Sequence, residues 1–77
     1  AMGWVIVQFP ESREVFVDDK SQGDNLDANG RCRVLIIDDG LHTFRLGGAA
    51  DVAPPAQDVT VANTSILDPL PVVFTKA

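Results

Sequence analysis

One histidine, one cysteine and a high density of carboxylates are the chemical resources of this 77-residue chain. His42 would serve as a proton carrier or a metal ligand. Either role needs a partner, whether a nucleophile within hydrogen-bond reach or a second ligand at a fixed spacing. No residue stands at such a spacing, and His42 shares a period-two face with Phe44 and Leu46. The expected role is therefore structural, a half-buried and hydrogen-bonded histidine at the start of a strand. An enzymatic role would require the fold to bring a carboxylate to His42 inside a cleft. Cys32 lies in an apolar run, and on a strand its neighbours Arg31 and Arg33 point to the opposite face. The expectation there is a buried, inert thiol.

The acidic residues fall into two patterns. Asp18-Asp19 and Asp38-Asp39 are paired carboxylates, the groups that glycosidases place on either side of a bond. Adjacent residues point apart, however, and Asp is favoured in turns for its hydrogen bonds to nearby backbone, so both pairs read as solvated turns. The run Asn25-Leu26-Asp27-Ala28-Asn29-Gly30 imitates the first half of a calcium loop, with alternating oxygen ligands and a glycine at the sharp turn. It starts with Asn rather than Asp, and Ile36 stands at the twelfth position, where a bidentate Glu is needed. An Asx-rich turn without a specific metal is expected, with Asp24, Asp27 and Asn29 as the residues that would hold a weak surface ion. Trp4 is the one aromatic candidate for stacking on a ligand, because the four Phe are needed for a core of this size. Core packing or docking of the terminus is the expectation ahead of that. Glycine-rich phosphate loops, paired Cys/His sites and Ser/His/Asp spacings are absent, and no cofactor is expected.

Charge narrows the partners. Eleven acidic against six basic residues leave a net charge of -5. Binding to nucleic acid rests on basic patches that displace counterions, and anionic membranes attract the same patches, so both partners are disfavoured. No stretch approaches the ~20 apolar residues of a membrane span. A hydrophobic fraction of 45% is too high for a disordered chain, and a chain this short holds one core. Ala1, Met2 and Gly3 read as a cloning remnant, with a single domain spanning residues 4–77.

The elements that position these residues are strands. Trp4–Phe9 is a short apolar run closed by Pro10, and Arg13–Val17 alternates, with Val15 and Val17 on one face. Asp18–Gly30 is dense in turn formers and reads as a connection with a short extended piece around Leu26. Arg31–Ile37 is apolar on both faces from Val34 onward, which predicts a central strand covered on both sides. Asp38-Asp39-Gly40 then predicts a tight hairpin turn into the alternating strand Leu41–Leu46. Gln57–Ala62 follows, with Val59 and Val61 inward, and Pro69 and Pro71 confine an edge strand to Val72–Lys76. No window keeps a helical period over three turns. Six or seven short, mostly antiparallel strands predict an all-β fold, a small Greek-key β-sandwich. Its edge strands make weak self-association an expectation.

The order of these residues resembles a known family. Pro10-Glu11-Ser12-Arg13-Glu14-Val15-Phe16-Val17-Asp18-Asp19, followed by Gly23, resembles the opening of the PEGA domain: a proline, a short turn, a Val-x-Val-Asp strand end, a reverse turn and a glycine. Asp39-Gly40-Leu41-His42-Thr43-Phe44 is similar to that family's Pro-Gly-x-His-x-Val hairpin. Asp58-Val59-Thr60-Val61 and Pro71-Val72-Val73-Phe74 stand where its last two strands lie. Ser12-Arg13 stands in place of the family's Gly-Ala, and Asn25-Leu26 in place of its Thr-Pro. The resemblance implies a sandwich related to carbohydrate-binding and transthyretin-like domains, with His42 as a structural hairpin residue and no catalytic residues. It further implies a non-catalytic module of a larger bacterial protein, acting as a spacer or as an interaction domain for proteins or cell-envelope components. The resemblance favours the cell envelope as location, whereas a lone cysteine also suits the cytoplasm. The rival reading is a carbohydrate- or calcium-dependent ligand-binding module that uses the Asp24–Gly30 loop and Trp4.

Overall fold

Side-chain alternation builds the first layer. In strand β1 (Met2–Gln8) Gly3, Val5 and Val7 point inward and are buried, while Trp4 and Ile6 point outward. The computed structural model describes residues 1–77 and contains no helix. After β1 come β2 (Glu14–Val17), β3 (Lys20–Asp24), β4 (Leu35–Asp38), β5 (Gly40–Leu46), β6 (Val52–Ala53), β7 (Gln57–Val61), β8 (Leu70–Val73) and β9 (Thr75–Lys76). One sheet has three strands in the order β4-β1-β8, the other has four in the order β3-β2-β5-β7, and β6 and β9 pair separately. The fold is all-β, a small β-sandwich.

Its interior is a cluster of 12 side chains. Val5, Val7, Leu35, Ile37 and Val72 come from the three-stranded sheet, and Val15, Val17, Phe44, Leu46 and Val61 from the four-stranded one; Phe9 and Phe74 lie just beyond the strand ends. Every strand in the two sheets supplies part of this layer except β3, whose residues are exposed or half-buried. The end of the sandwich beside Phe9 is closed by charge. Arg13 donates to both oxygens of Asp51 at 3.0 Å and to Glu11 at 2.7 Å, and Lys76 joins the same two carboxylates at 2.8 and 2.6 Å. Both cations lie over the Phe9 ring. This network ties β9 and the segment before β6 to the loop between β1 and β2.

Several elements differ from the expectations. β1 starts at Met2, so Met2 and Gly3 are part of the sheet, paired with Asp38 and Ile37. The strand around Val34–Ile37 is not central: β4 is an edge strand covered on one face only, and Ile36 is 58% exposed. Asp39-Gly40 does not form a hairpin. β4 pairs with β1 and β5 pairs with β2 and β7, so the turn carries the chain from one sheet to the other. Gly40 has φ 125°, which suits glycine, but that local chemistry does not decide whether the flanking strands pair. The hairpin is formed instead by β2 and β3, where Asp18 and Asp19 both adopt positive φ, as the favoured two-residue hairpin turn demands. Lys20–Asp24, expected as connection, is thus a strand, while Leu26 makes only an isolated bridge to Cys32. The last strand is an edge, as expected, but β8 begins at Leu70 and pairs with β1 in parallel.

Gly3 marks the tightest approach between the layers. A Cβ there would collide with Val61 Cγ1 and sit 3.0 Å from Asp39 Oδ1 and Thr64 Oγ1. Val61 is fully buried, with no room to yield. Gly3→Ala is therefore expected to cost about 1–3 kcal/mol of stability through overpacking. Chemical denaturation checks this, and an unchanged midpoint would contradict the close packing.

Candidate functional site

His42 extends from β5 into a cleft of about 220 Å³ between the edges of the two sheets, lined by Met2, Ile36 and Asp38 on one side and by Val17 and Lys20 on the other. Its Nδ1 is 2.6 Å from Asp18 Oδ2, and its Nε2 is 2.6 Å from the Asp38 carbonyl oxygen. The condition for an acid–base reading, a carboxylate brought to His42 inside a cleft, is thus met. The second contact decides what this ring does. A carboxylate and a carbonyl are both acceptors, so the two contacts are both satisfied only when each ring nitrogen donates, an arrangement that favours the imidazolium. The Asp18 hydrogen bond raises the His42 pKa above its ordinary value of 6.5, against some desolvation, and the Asp38 carbonyl adds to the rise. Asp18 is held below the ordinary carboxylate value, first by the Thr43 amide, which donates to its Oδ1 at 3.0 Å, and then by His42. An imidazolium with both N–H groups engaged has no lone pair with which to accept a proton. What it does is link the β2–β3 turn of one sheet to the end of β4 in the other.

The remaining polar residues singled out in the sequence do not converge. Asp19 pairs with Arg45 at 3.2 Å, away from Asp18, and Arg45 covers the Phe16 ring at 4.1 Å. Asp27 Oδ1 accepts from the amides of Asn29 at 2.8 Å and Arg31 at 3.0 Å, closing an Asx turn on itself. Asp24 is exposed and offers its backbone carbonyl to Arg33 at 2.8 Å. Asn25, the first residue of the calcium-like run, is completely buried and fully occupied. Its Oδ1 accepts from the Arg13 amide at 2.7 Å and its Nδ2 donates to the Glu11 carbonyl at 3.2 Å. Its own amide and carbonyl pair with Arg13 and Arg33. Asn25 therefore shapes the loop between β1 and β2. Cys32 is half-buried rather than buried, because it sits beside a shallow surface depression with Leu26 and Phe74, outside the packed layer.

Trp4 lies neither under the sheet nor in a groove. It is half-buried on the outer face of the three-stranded sheet, its amide bonded to Thr64 Oγ1 at 2.8 Å, with Ile36 as its cross-strand neighbour. That face is mainly apolar, with Gln8 and Asp38 at its two ends. Register places Met2, Trp4 and Ile6 along its centre, Ile36 on one side, and Pro71 and Val73 on the other. Beside it a tight turn, held by mutual backbone bonds between Ser65 and Asp68, raises Ile66 and Leu67 into solvent at 65% and 94% exposure. Six of the seven large exposed hydrophobic residues are on this sheet or next to its strands: Met2, Val34, Ile36, Ile66, Leu67 and Val73. Only Leu41 is elsewhere. The outer face of the other sheet carries Glu14, Arg45, Asp58 and Thr60, with Phe16 under Arg45 and Leu41 exposed beside Thr60.

Sequence reasoning singled out Trp4 on this face and missed the rest. The available signal was Ile66-Leu67 in a polar turn segment, where Gly, Asn or Asp is the usual choice. Comparison with family models, curated proteins and solved structures finds no match.

Two predictions come from the polar groups. A raised histidine pKa stabilises the fold fully below the unfolded value, near 6.5, and that contribution is lost as pH rises through the folded value. The melting temperature of the native chain is thus expected to fall by a few degrees as pH rises above 6.5, and that of His42→Phe to stay level over the same range. Parallel pH profiles of the two proteins would contradict the double-donor histidine. Asn25→Ala, which removes a completely buried amide and the acceptor of the part-buried Arg13 N–H, is expected to lose about 2 kcal/mol in urea unfolding.

Proposed function

We propose that this chain is a non-catalytic β-sandwich module of a larger bacterial protein, and that it binds another polypeptide through the outer face of its three-stranded sheet. The carrying observation is the uneven distribution of exposed apolar side chains: six of the seven large ones lie on or beside one sheet, and the other sheet is mainly polar apart from Leu41. An exposed apolar face rimmed by polar residues is the kind of surface through which a domain meets a partner. The absence of enzymatic activity in this reading is supported by the state of His42, whose two nitrogens are both committed to acceptors. Resemblance to PEGA domains supports the accessory role. A carbohydrate-binding reading gains less, because Ile36, the cross-strand neighbour of Trp4, and Ile6, two residues along the same face, are aliphatic and have no groups to hydrogen-bond a sugar. No helix is long and apolar enough to cross a membrane.

A photo-crosslinking residue introduced at position 36 is expected to yield a discrete adduct in the native host, and one at position 60, on the polar sheet, to yield none. Equal labelling from both positions, or none from position 36, would leave only a spacer without a docking face.

A further inference from the structure

Each open sheet has two edges, and an edge strand offers its outward backbone groups to a further strand unless something blocks them. On β3 the Gln22 and Asp24 carbonyls accept from Arg33 at 3.3 and 2.8 Å, and Gly23 at φ 80° interrupts the extended run. On β8 the outward positions are Pro71, which has no N–H, and Val73, whose carbonyl accepts from Gln57 Nε2 at 2.9 Å. β7 leaves the backbone of Asp58 and Thr60 free, with the Asp58 carboxylate as a charged guard at that edge. β4 is blocked at one end only. The Asp39 N–H donates to the Ala1 carbonyl, so the odd-numbered residues face β1, and Ile36 and Asp38 face away. His42 occupies the Asp38 carbonyl. The Asp38 N–H and both backbone groups of Ile36 have no partner in the chain.

What lies beneath this edge narrows the occupant. The cleft of about 220 Å³ opens between β4 and β3, with the buried side chains of Val17 and Ile37 at its base and Lys20, Gln22 and the His42–Asp18 pair at its rim. A strand laid along β4 would send alternate side chains outward beside Ile36 and inward to this cleft. Free N–H and C=O groups at the two-residue repeat of a strand, ~6.8 Å, match an extended polypeptide backbone, and neither a bilayer nor a sugar carries that repeat. The β4 strand of a second copy fits less well. Its own inward side chains, Leu35 and Ile37, are already buried in its core, so none is left to enter the cleft.

Resting on the reading that this sheet meets another polypeptide, we infer that the partner docks as an added strand on β4. It pairs with both backbone groups of Ile36 and with the Asp38 N–H, and it sets one aliphatic side chain into the cleft over Val17 and Ile37. In this mode main-chain bonds supply the affinity, and the side chain in the pocket supplies the selectivity.

The probe is a set of peptides selected from a random phage-displayed library on the intact chain. Synthetic copies are titrated through the emission of Trp4, the sole tryptophan and the cross-strand neighbour of Ile36. Two substitutions separate backbone from side chain. Ile36→Pro removes the outward N–H and leaves the β1 ladder intact, as edge strands allow, whereas Ile36→Thr keeps the N–H and removes only apolar surface. Binding is expected to weaken about tenfold or more with Ile36→Pro and less than about threefold with Ile36→Thr. In the unsubstituted chain, amide exchange at Ile36 and Asp38 is expected to slow when peptide binds, a readout that holds even if Ile36→Pro perturbs the fold. Peptides weakened equally by both substitutions, with no slowing at Ile36 and Asp38, would overturn the added strand and leave the apolar face as the docking surface. Peptides indifferent to both substitutions, or no enrichment, would overturn both readings. Slowed exchange at Asp58 and Thr60 instead would overturn the inference in favour of β7. A dimer in sedimentation that Ile36→Pro abolishes would overturn it in favour of a second copy.

Discussion

Two sheets this small enclose a single layer of side chains, and the 12 residues of that layer are all the interior the chain has. Nothing is left to cover an outer face, so each outer face must be compatible with water or be met by something else. The four-stranded sheet satisfies the first condition with Glu14, Thr43, Arg45, Asp58 and Thr60, and it covers its one outward aromatic, Phe16, with Arg45. The three-stranded sheet does not. Its inward residues, Val5, Val7, Leu35, Ile37 and Val72, are what the core demands, whereas Trp4, Ile6, Ile36 and Val73 on the other side lie outside that core, half-buried or exposed. The thinness of the fold makes the distribution of outward residues the most informative feature of the molecule.

Polar groups carry the closure that a larger core would otherwise supply. At one end the Arg13–Asp51–Lys76–Glu11 network joins three separate stretches of chain over Phe9. Towards the other, His42 spans the gap between the β2–β3 turn and the end of β4. Asn25 orders the loop between β1 and β2 from a completely buried position. His42 and Asn25 stand out in the sequence as candidates for chemistry, and both are engaged in holding backbone or neighbouring side chains. The one large group of side chains without partners in the structure is apolar.

The class of fold was legible because period-two alternation and turn residues recur along the whole chain, and the inward positions Val15, Val17, Val59 and Val61 follow directly from them. Pairing was less legible. Asp39-Gly40 encodes a turn and a positive φ, but the same chemistry serves a hairpin or a passage between sheets, and only the partners of β4 and β5 distinguish these. The apolar run at Val34–Ile37 reports that both faces of the strand are apolar; whether both are covered depends on its place in the sheet, which is at the edge. β3 has little intrinsic preference for a strand in Lys20-Ser21-Gln22-Gly23-Asp24, and its ladder with β2 and the reach of Arg33 to its carbonyls hold it there. The place of His42 on the face shared with Phe44 and Leu46 was readable from the alternation. Its carboxylate partner, 24 residues away, was not.

The parallel pairing of β1 with β8 has a mechanical consequence. Both strands run in the same direction, so chain joined ahead of β1 and chain joined beyond β9 leave from opposite ends of the sandwich. Tension between two such neighbours would pull the adjacent strands past each other along their length. The slanted bonds between Val5–Gln8 and Leu70–Val73 would then carry the load together as a shear, instead of opening one by one from an end. A domain threaded in this way would meet stretching with the four register pairs of that parallel ladder side by side.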